Sequence, residues 1–369
     1  MLRYFFKVPP LRASPKPAMV SSARPFSTAM AGKQQFHVFR EVEPLRAYRR
    51  QRLLDQKSVG MVPTMGALHE GHLSLVRQAA QENDEIFLSI YVNPTQFGVN
   101  EDLDSYPKTW DSDIEKLQAL DSELAASSAR GRVTAIFAPT SKIMYPTLPP
   151  SSEIDGDGSF VTITPLANKL EGASRPVFFR GVATVCTKLF NIVQPEKVYF
   201  GQKDVQQTVI IRRMVQDFHI PTQVRIGPTE REKDGLAMSS RNVYLGARRR
   251  NVSTILYQAL SKAEEQYTAG KRKRDDILWP AHDLTNNKIR EQEDLPPKDR
   301  ALFDVDYISL ADPDTLEEVD VVDEKKGAIL SGAIKMKPIE NPQPDEDGGL
   351  GGGQVPVRLI DNLIFKPIA

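Results

Sequence analysis

The sequence predicts an α/β protein, a Rossmann-like doubly wound parallel sheet with a smaller C-terminal α+β domain, and three observations lead there. Short apolar runs alternate with amphipathic stretches from about Glu41 to Gly227, which is the pattern of strands joined by crossover helices. Polar, glycine-bearing segments begin where several of those runs end, and open parallel sheets bind ligands beyond the carboxyl ends of their strands. After Gly227 the alternation stops, and one long helical stretch precedes three further strand-like runs.

Taken in order, strands are predicted at 58–62, 85–92, 134–139 and 197–201, with a last one at 222–227. Helices are predicted at 73–81, 110–120, 182–193 and 205–218. Beyond them come a helical stretch at 248–268 and strands at 305–310, 328–336 and 358–365. Two segments interrupt this second part. Residues 271–300 are charged and contain prolines, and residues 337–354 include an acidic, glycine-rich run. Both read as solvated, disordered loops with too few apolar residues to offset the entropy of ordering. The resulting division is an N-terminal extension at 1–34, a main domain at 35–229 and a C-terminal domain at 230–369.

Composition narrows the function classes. The chain has 369 residues, 40% of them apolar, enough for one large core or two ordinary ones. Forty-eight basic residues balance 48 acidic ones, so no global field argues for nucleic acid as a partner. Cys186, the single cysteine, excludes an internal disulfide framework and a cysteine-rich zinc site; it sits in an apolar helical run and reads as buried packing. No run is long enough for a transmembrane helix, so no membrane partner is expected. Residues 1–40 carry Arg3, Lys7, Arg12, Lys16, Arg24, Lys33 and Arg40 with no acid, which resembles a mitochondrial presequence. The alternative is a disordered basic extension on a cytoplasmic protein, favoured by Pro9, Pro10, Pro15 and Pro17, which break a long amphipathic helix.

Five segments carry candidate chemistry. Residues 63–72, from Pro63 and Met65 to His69-Glu70-Gly71-His72, lead from a strand into a helix. Glycines let backbone approach a ligand, the helix start attracts anions, and both imidazoles can donate to phosphate oxygens. A zinc site would need a third ligand, and two merely capping histidines would leave the glycines and Pro63 unexplained. Residues 93–97, Asn93-Pro94-Thr95-Gln96-Phe97, offer carboxamides for a small substrate's hydroxyl and carbonyl groups, or are simply a turn. Asp102, Asp104, Asp111 and Asp113 follow, either as help for magnesium or as a solvated acidic surface. Residues 172–182 bring Arg175 and Arg180, suited to carboxylate or phosphate, or forming a basic surface loop. Residues 201–207 bring Gly201, Lys203 and Gln207, the lysine placed to neutralise charge on a transferring phosphoryl group. Residues 233–242 contain Met238-Ser239-Ser240-Arg241, which either clamp phosphates or cap a helix with an exposed arginine.

With these residues in view, the chain resembles the pantothenate synthetase (pantoate–β-alanine ligase) family of the nucleotidyltransferase superfamily that has a His-x-Gly-His turn. The similarity runs over 35–246 and resumes at 303–319 and 358–365. The resemblance implies an ATP- and pantoate-binding domain at 35–229 and a lid domain at 230–369. It implies that ATP and pantoate form pantoyl adenylate and pyrophosphate with magnesium, after which β-alanine displaces AMP to give pantothenate. On that reading His69, His72, Lys203, Ser239, Ser240 and Arg241 handle the triphosphate and the charge of adenylation. Pro63, Met65, Gly201, Asp204 and Met238 complete the ATP site, with Gly201 and Asp204 at the ribose and Met238 near adenine. Met65, Gln96 and Gln207 line the pantoate pocket. Homodimers are common in the family, so a homodimer is the expectation.

Two positions depart from the family pattern. Phe178 stands where many members have histidine, and Gln202 stands for the usual glutamate. The first removes an imidazole; the second leaves its neighbours in place. The competing readings are another nucleotidyltransferase with a different acid, and a nucleotide sensor without catalysis on the same scaffold.

Overall fold

The computed structural model describes residues 36–98 and 103–367. Most of the basic leader, and Asp102, lie outside the described residues. Strands β1 (His37–Phe39), β2 (Val59–Thr64), β3 (Glu85–Ile90), β4 (Arg132–Phe137), β5 (Lys197–Gly201) and β6 (Gln223–Gly227) form one parallel sheet in the order β1-β4-β3-β2-β5-β6. The chain therefore winds outward from β2 to β3 and β4, then crosses to the other side for β5 and β6. That reversal places a switch point between β2 and β5, where such sheets bind ligands. The two strands pair only at Gly60 with Lys197 and Met61 with Val198. Past Met61 they part, and a crevice opens at their carboxyl ends.

The helices are α1 (Val42–Leu54), α2 (Glu70–Glu82), α3 (Trp110–Ala126), the short α4 (Ser141–Met144) and α5 (Glu171–Ser174), α6 (Phe178–Val193) and α7 (Val205–Asp217). Helix α6 is apolar on most of its surface, with Phe179, Ala183, Leu189, Phe190 and Val193 all buried, and it forms the centre of the core beneath the sheet. It stops at Gln194, whose φ of 50° is left-handed and whose N–H caps Phe190 O. Helix α1, together with β1, is missed by the sequence pattern. Its buried face holds Leu45 but also Arg49, which donates to the carbonyls of Val193 and Gln194 and pairs with Glu196. A buried charge erases the apolar stripe that marks a helix.

Three antiparallel strands, β7 (Phe303–Ala311), β8 (Ala328–Met336) and β9 (Val357–Phe365), form a second sheet in that order. Helices α8 (Gly246–Val252), α9 (Ile255–Thr268) and α10 (Arg274–Glu293) accompany it, α9 lying on β8 and β9. The expected loop at 271–300 is thus largely helix. Ile277, Leu278, Ala281 and Thr285 make one buried stripe that packs against α9 and β7, while the charges face water. Pro280 inside α10 costs about 3 kcal/mol, which burying two side chains such as Ile277 and Leu278 at about 1.5–3 kcal/mol each offsets. Residues 337–354 contain no helix or strand, yet they are not a free solvated loop. Ile339 N–H bonds Gly353 O, Ala247 N–H bonds Asp347 O, and the fully buried Arg249 donates to Val355 O and Lys337 O. Backbone partners, rather than apolar side chains, dock this segment on α8.

Candidate active site

Helix α2 is capped by His69, and the local geometry explains both histidines. His69 Nδ1 accepts the Gly71 N–H at 3.1 Å, while His72 Nδ1 accepts the His69 N–H at 3.4 Å. The two residues do cap the helix, as the plainer reading supposed. Because each Nδ1 is an acceptor, each neutral ring carries its proton on Nε2, and that N–H is left to donate elsewhere. The rings lie 4.1 Å apart. Burial, with Lys203 nearby, lowers the His69 pKa to about 4; burial, with His69 and Lys203 beside it, holds His72 well below the usual imidazole range. Both are therefore uncharged donors at neutral pH. At Gly71 a Cβ would stand 2.9 Å from His69 Cε1, so a larger residue would displace the capping imidazole.

The turn before them is held from α3. Gly66 has a φ of 87° and Ala67 one of 50°, and the buried Asp113 carboxylate accepts the N–H groups of Ala67 and Leu68 and the Thr109 hydroxyl. This corrects the magnesium reading for Asp113, whose oxygens are spent on backbone. Asp104 and Asp111 are exposed, and among the described residues no group of three or more His, Cys, Asp or Glu could hold a metal. The segment after β3 is equally built. Asn93 is buried, donates to Gln96 Oε1 and Gly181 O, and accepts from the Tyr145 hydroxyl at 2.7 Å. Gln96 in turn donates towards Met65 Sδ at 3.2 Å.

The arginine pair at 172–182 is split. Arg180 leaves the site to donate to the carbonyls of Glu153 and Ile154, its guanidinium 4.1 Å from the Phe160 ring. Arg175 stays, 3.8 Å from the Phe178 ring and paired with the buried Glu171 at 3.0 Å. In the last segment Ser239 accepts the Arg241 N–H, and Ser240 Oγ lies 3.0 Å from the Tyr106 hydroxyl.

These segments converge on one cavity of about 210 Å³ at the β2–β5 crevice. Pro63, Met65, His69, His72, Gln96 and Gly201 line it, as do Lys203, Asp204, Gln207, Met238, Ser239, Ser240 and Arg241. Every expected site residue is present. A wider cavity of about 680 Å³ adjoins it and shares Phe178, Lys203, Asp204, Ser239 and Arg241. Sequence reasoning missed the apolar wall made by Val182, Val185, Cys186 and Leu189 of α6. Their i, i+3, i+4, i+7 spacing was the available signal. Cys186 is buried, as expected, with burial pushing its thiol up to about 12, but it also faces this wall.

A switch-point crevice that pairs uncharged imidazole donors with a lysine and a serine-rich turn, beside an apolar wall and two carboxamides, belongs to a nucleotide-using α/β enzyme that also holds a small, partly apolar acid. The comparisons with known proteins specify it further: the chain belongs to the pantoate-beta-alanine ligase family, whose profile matches residues 37–364. A pantothenate synthetase of Roseiflexus castenholzii is 44% identical over 89% of this chain and 99% of its own length. The crystal structure of pantothenate synthetase from Thermus thermophilus matches with a TM-score of 0.69 and 35% identity, covering 90% of this chain and 100% of that one. The pantoate-beta-alanine ligase of Francisella tularensis, complexed with beta-gamma ATP and beta-alanine, matches with a TM-score of 0.59 and 29% identity, covering 89% of this chain and 97% of that one.

Proposed function

We propose that this protein joins pantoate to β-alanine in two steps, using ATP, to give pantothenate, AMP and pyrophosphate. A carboxylate is a poor acyl donor. A pantoate carboxylate oxygen first attacks the α-phosphorus of ATP, the bond to pyrophosphate breaks, and pantoyl adenylate forms. The β-alanine amine then attacks the acyl carbon, loses a proton, and AMP leaves. The observation that carries this reading is the convergence of all the expected residues on one crevice at the sheet's switch point.

His69 and His72 donate Nε2–H bonds to phosphate oxygens, which stabilises charge without adding further cations to Lys203 and Arg241. Lys203, Ser239, Ser240 and Arg241 meet the charge that builds as pyrophosphate departs. Gly201 and Asp204 take the ribose and Met238 the adenine, with Pro63 forming the floor beside Met65. A Cβ at Gly201 would meet no protein atom within 4 Å, which leaves that space to a ligand. Gln96 and Gln207 bond the oxygens of pantoate, and the wall of Val182, Val185, Cys186 and Leu189 receives its two methyl groups beside Met65. No covalent enzyme intermediate is needed, because positioning and electrostatics suffice. Magnesium arrives with the triphosphate, in keeping with its preference for substrate phosphates and water over protein cages. A homodimer through the larger lobe completes the proposal.

The experiment is direct. Purified protein given ATP, magnesium and pantoate is expected to catalyse ATP–pyrophosphate exchange, and to accumulate AMP with turnover only when β-alanine is added. Exchange supported by another acid but not by pantoate would transfer the reading to a different nucleotidyltransferase.

A further inference from the structure

Side chains of strand β9 reach one of the site's segments and the residues leading into two others. Asn362, with none of its surface exposed, donates both amide protons from Nδ2, to Gln202 O at 2.9 Å and to Lys203 O at 2.8 Å. Its Oδ1 accepts the Gln202 Nε2 amide at 3.3 Å. Asp361, also buried, forms a two-pronged pair with Arg231, at 2.5 and 2.9 Å, and Arg231 itself donates to Gly235 O in the turn that leads to Ser239. Arg358 binds Glu171 at 2.8 Å, the carboxylate that also holds Arg175. Successive strand residues project to opposite faces. Arg358 and Asn362 therefore reach, from one face, Glu171 at the start of the 172–182 segment and the 201–207 segment itself, while Asp361 holds, from the other, Arg231 just before the 233–242 segment.

We infer that β9 sets the spacing between the lysine segment and the serine–arginine segment, and that Asn362 is a positioning residue for Lys203. The chemistry at 362 is demanding. Two adjacent carbonyls need two donors, and the Gln202 amide needs an acceptor. A carboxamide supplies all three, an aspartate would set an oxygen against both carbonyls, and an aliphatic side chain would leave all three partners without this bond. The Gln202 departure falls here too: its side chain turns to Asn362 and does not line the cavity that holds Lys203. Since Lys203 acts as charge develops, a displaced 203 backbone should slow adenylation more than it weakens ATP binding.

The inference rests on the adenylation reading, and the test separates the two. Pantoate-dependent ATP–pyrophosphate exchange by the unmodified protein establishes the reading itself; its absence would overturn that first. Given exchange, Asn362→Asp is expected to lower kcat on the order of 10- to 100-fold with the KM for ATP within about threefold, in protein whose circular dichroism is unchanged. In a Lys203→Ala background, assayed at enzyme concentrations that read the residual rate, Asn362→Asp should add almost nothing. An unchanged kcat in the single variant, or the same fold loss in both backgrounds, overturns the proposal. If Asn362→Asp does not fold, Asn362→Ser, which keeps one donor, is read by the same criteria.

Discussion

Asp113 reaches across from α3 to hold the Leu68 backbone N–H at 2.8 Å, and its second oxygen takes the N–H of Ala67 at 2.9 Å. A buried carboxylate thereby fixes a turn that contains two positive-φ residues and delivers His69 to the crevice. Asp113→Asn keeps the shape but sets an amide N–H against one backbone N–H. It should cost about 1–3 kcal/mol in urea denaturation and reduce pyrophosphate exchange. A variant as stable as the parent would remove Asp113 from this role.

Lys203 stands in the cavity with its ammonium 3.3 Å from Asp204. Lys203→Ala is expected to keep the fold, seen as an unchanged circular dichroism spectrum, and to lose nearly all adenylation. Near-parental exchange by the variant would contradict the assigned function of this side chain.

The depressed histidine pKa values make a signed prediction. The unfolded chain takes up protons near pH 6.5, whereas folded His69 does so only at about 4 and burial holds His72 well below 6.5. The stability present above pH 6.5 should therefore decline as the pH falls towards 4. Melting temperature measured across that window should drop less steeply for His69→Gln. Parallel curves for parent and variant would show that His69 is not the group responsible.

Phe178 occupies the junction of the two cavities, beneath the Arg175 guanidinium and edge-on to Phe179 at 4.9 Å. An imidazole in its place retains a flat ring beneath Arg175. Phe178→His should fold normally and exchange pyrophosphate within about threefold of the parent, since the residues assigned to the triphosphate are all retained. A large gain in turnover would mean that the phenylalanine has removed a function.

Where local pattern and tertiary environment agree, the fold is readable from sequence alone. Strands β5 and β8 are largely apolar runs with clear edges, and three of the five candidate segments, 63–72, 93–97 and 201–207, follow a strand end that hydrophobicity marks. The failures share one cause, polar residues employed inside the structure. Arg49 hides α1, and Arg249 docks a glycine-rich loop that composition marks as solvated. Asp113 reads as a surface acid because nothing local says that its partners are backbone amides on another element. Asn362 is invisible for the same reason, its three bonds reaching back to residues far earlier in the chain. The Val182 to Leu189 wall was legible in principle, but its spacing looks the same whether it faces core or ligand.

The position of β9 along the chain also imposes a timetable. During synthesis the parallel sheet can assemble once Gly227 has emerged, and by then the 201–207 segment is made but lacks Asn362. At roughly 5–20 residues per second, the wait lasts on the order of ten seconds. A chain that stops before β9 thus lacks the side chain that holds the carbonyls of Gln202 and Lys203. On the role inferred for Asn362, the full rate arrives only as the last strand leaves the ribosome and docks.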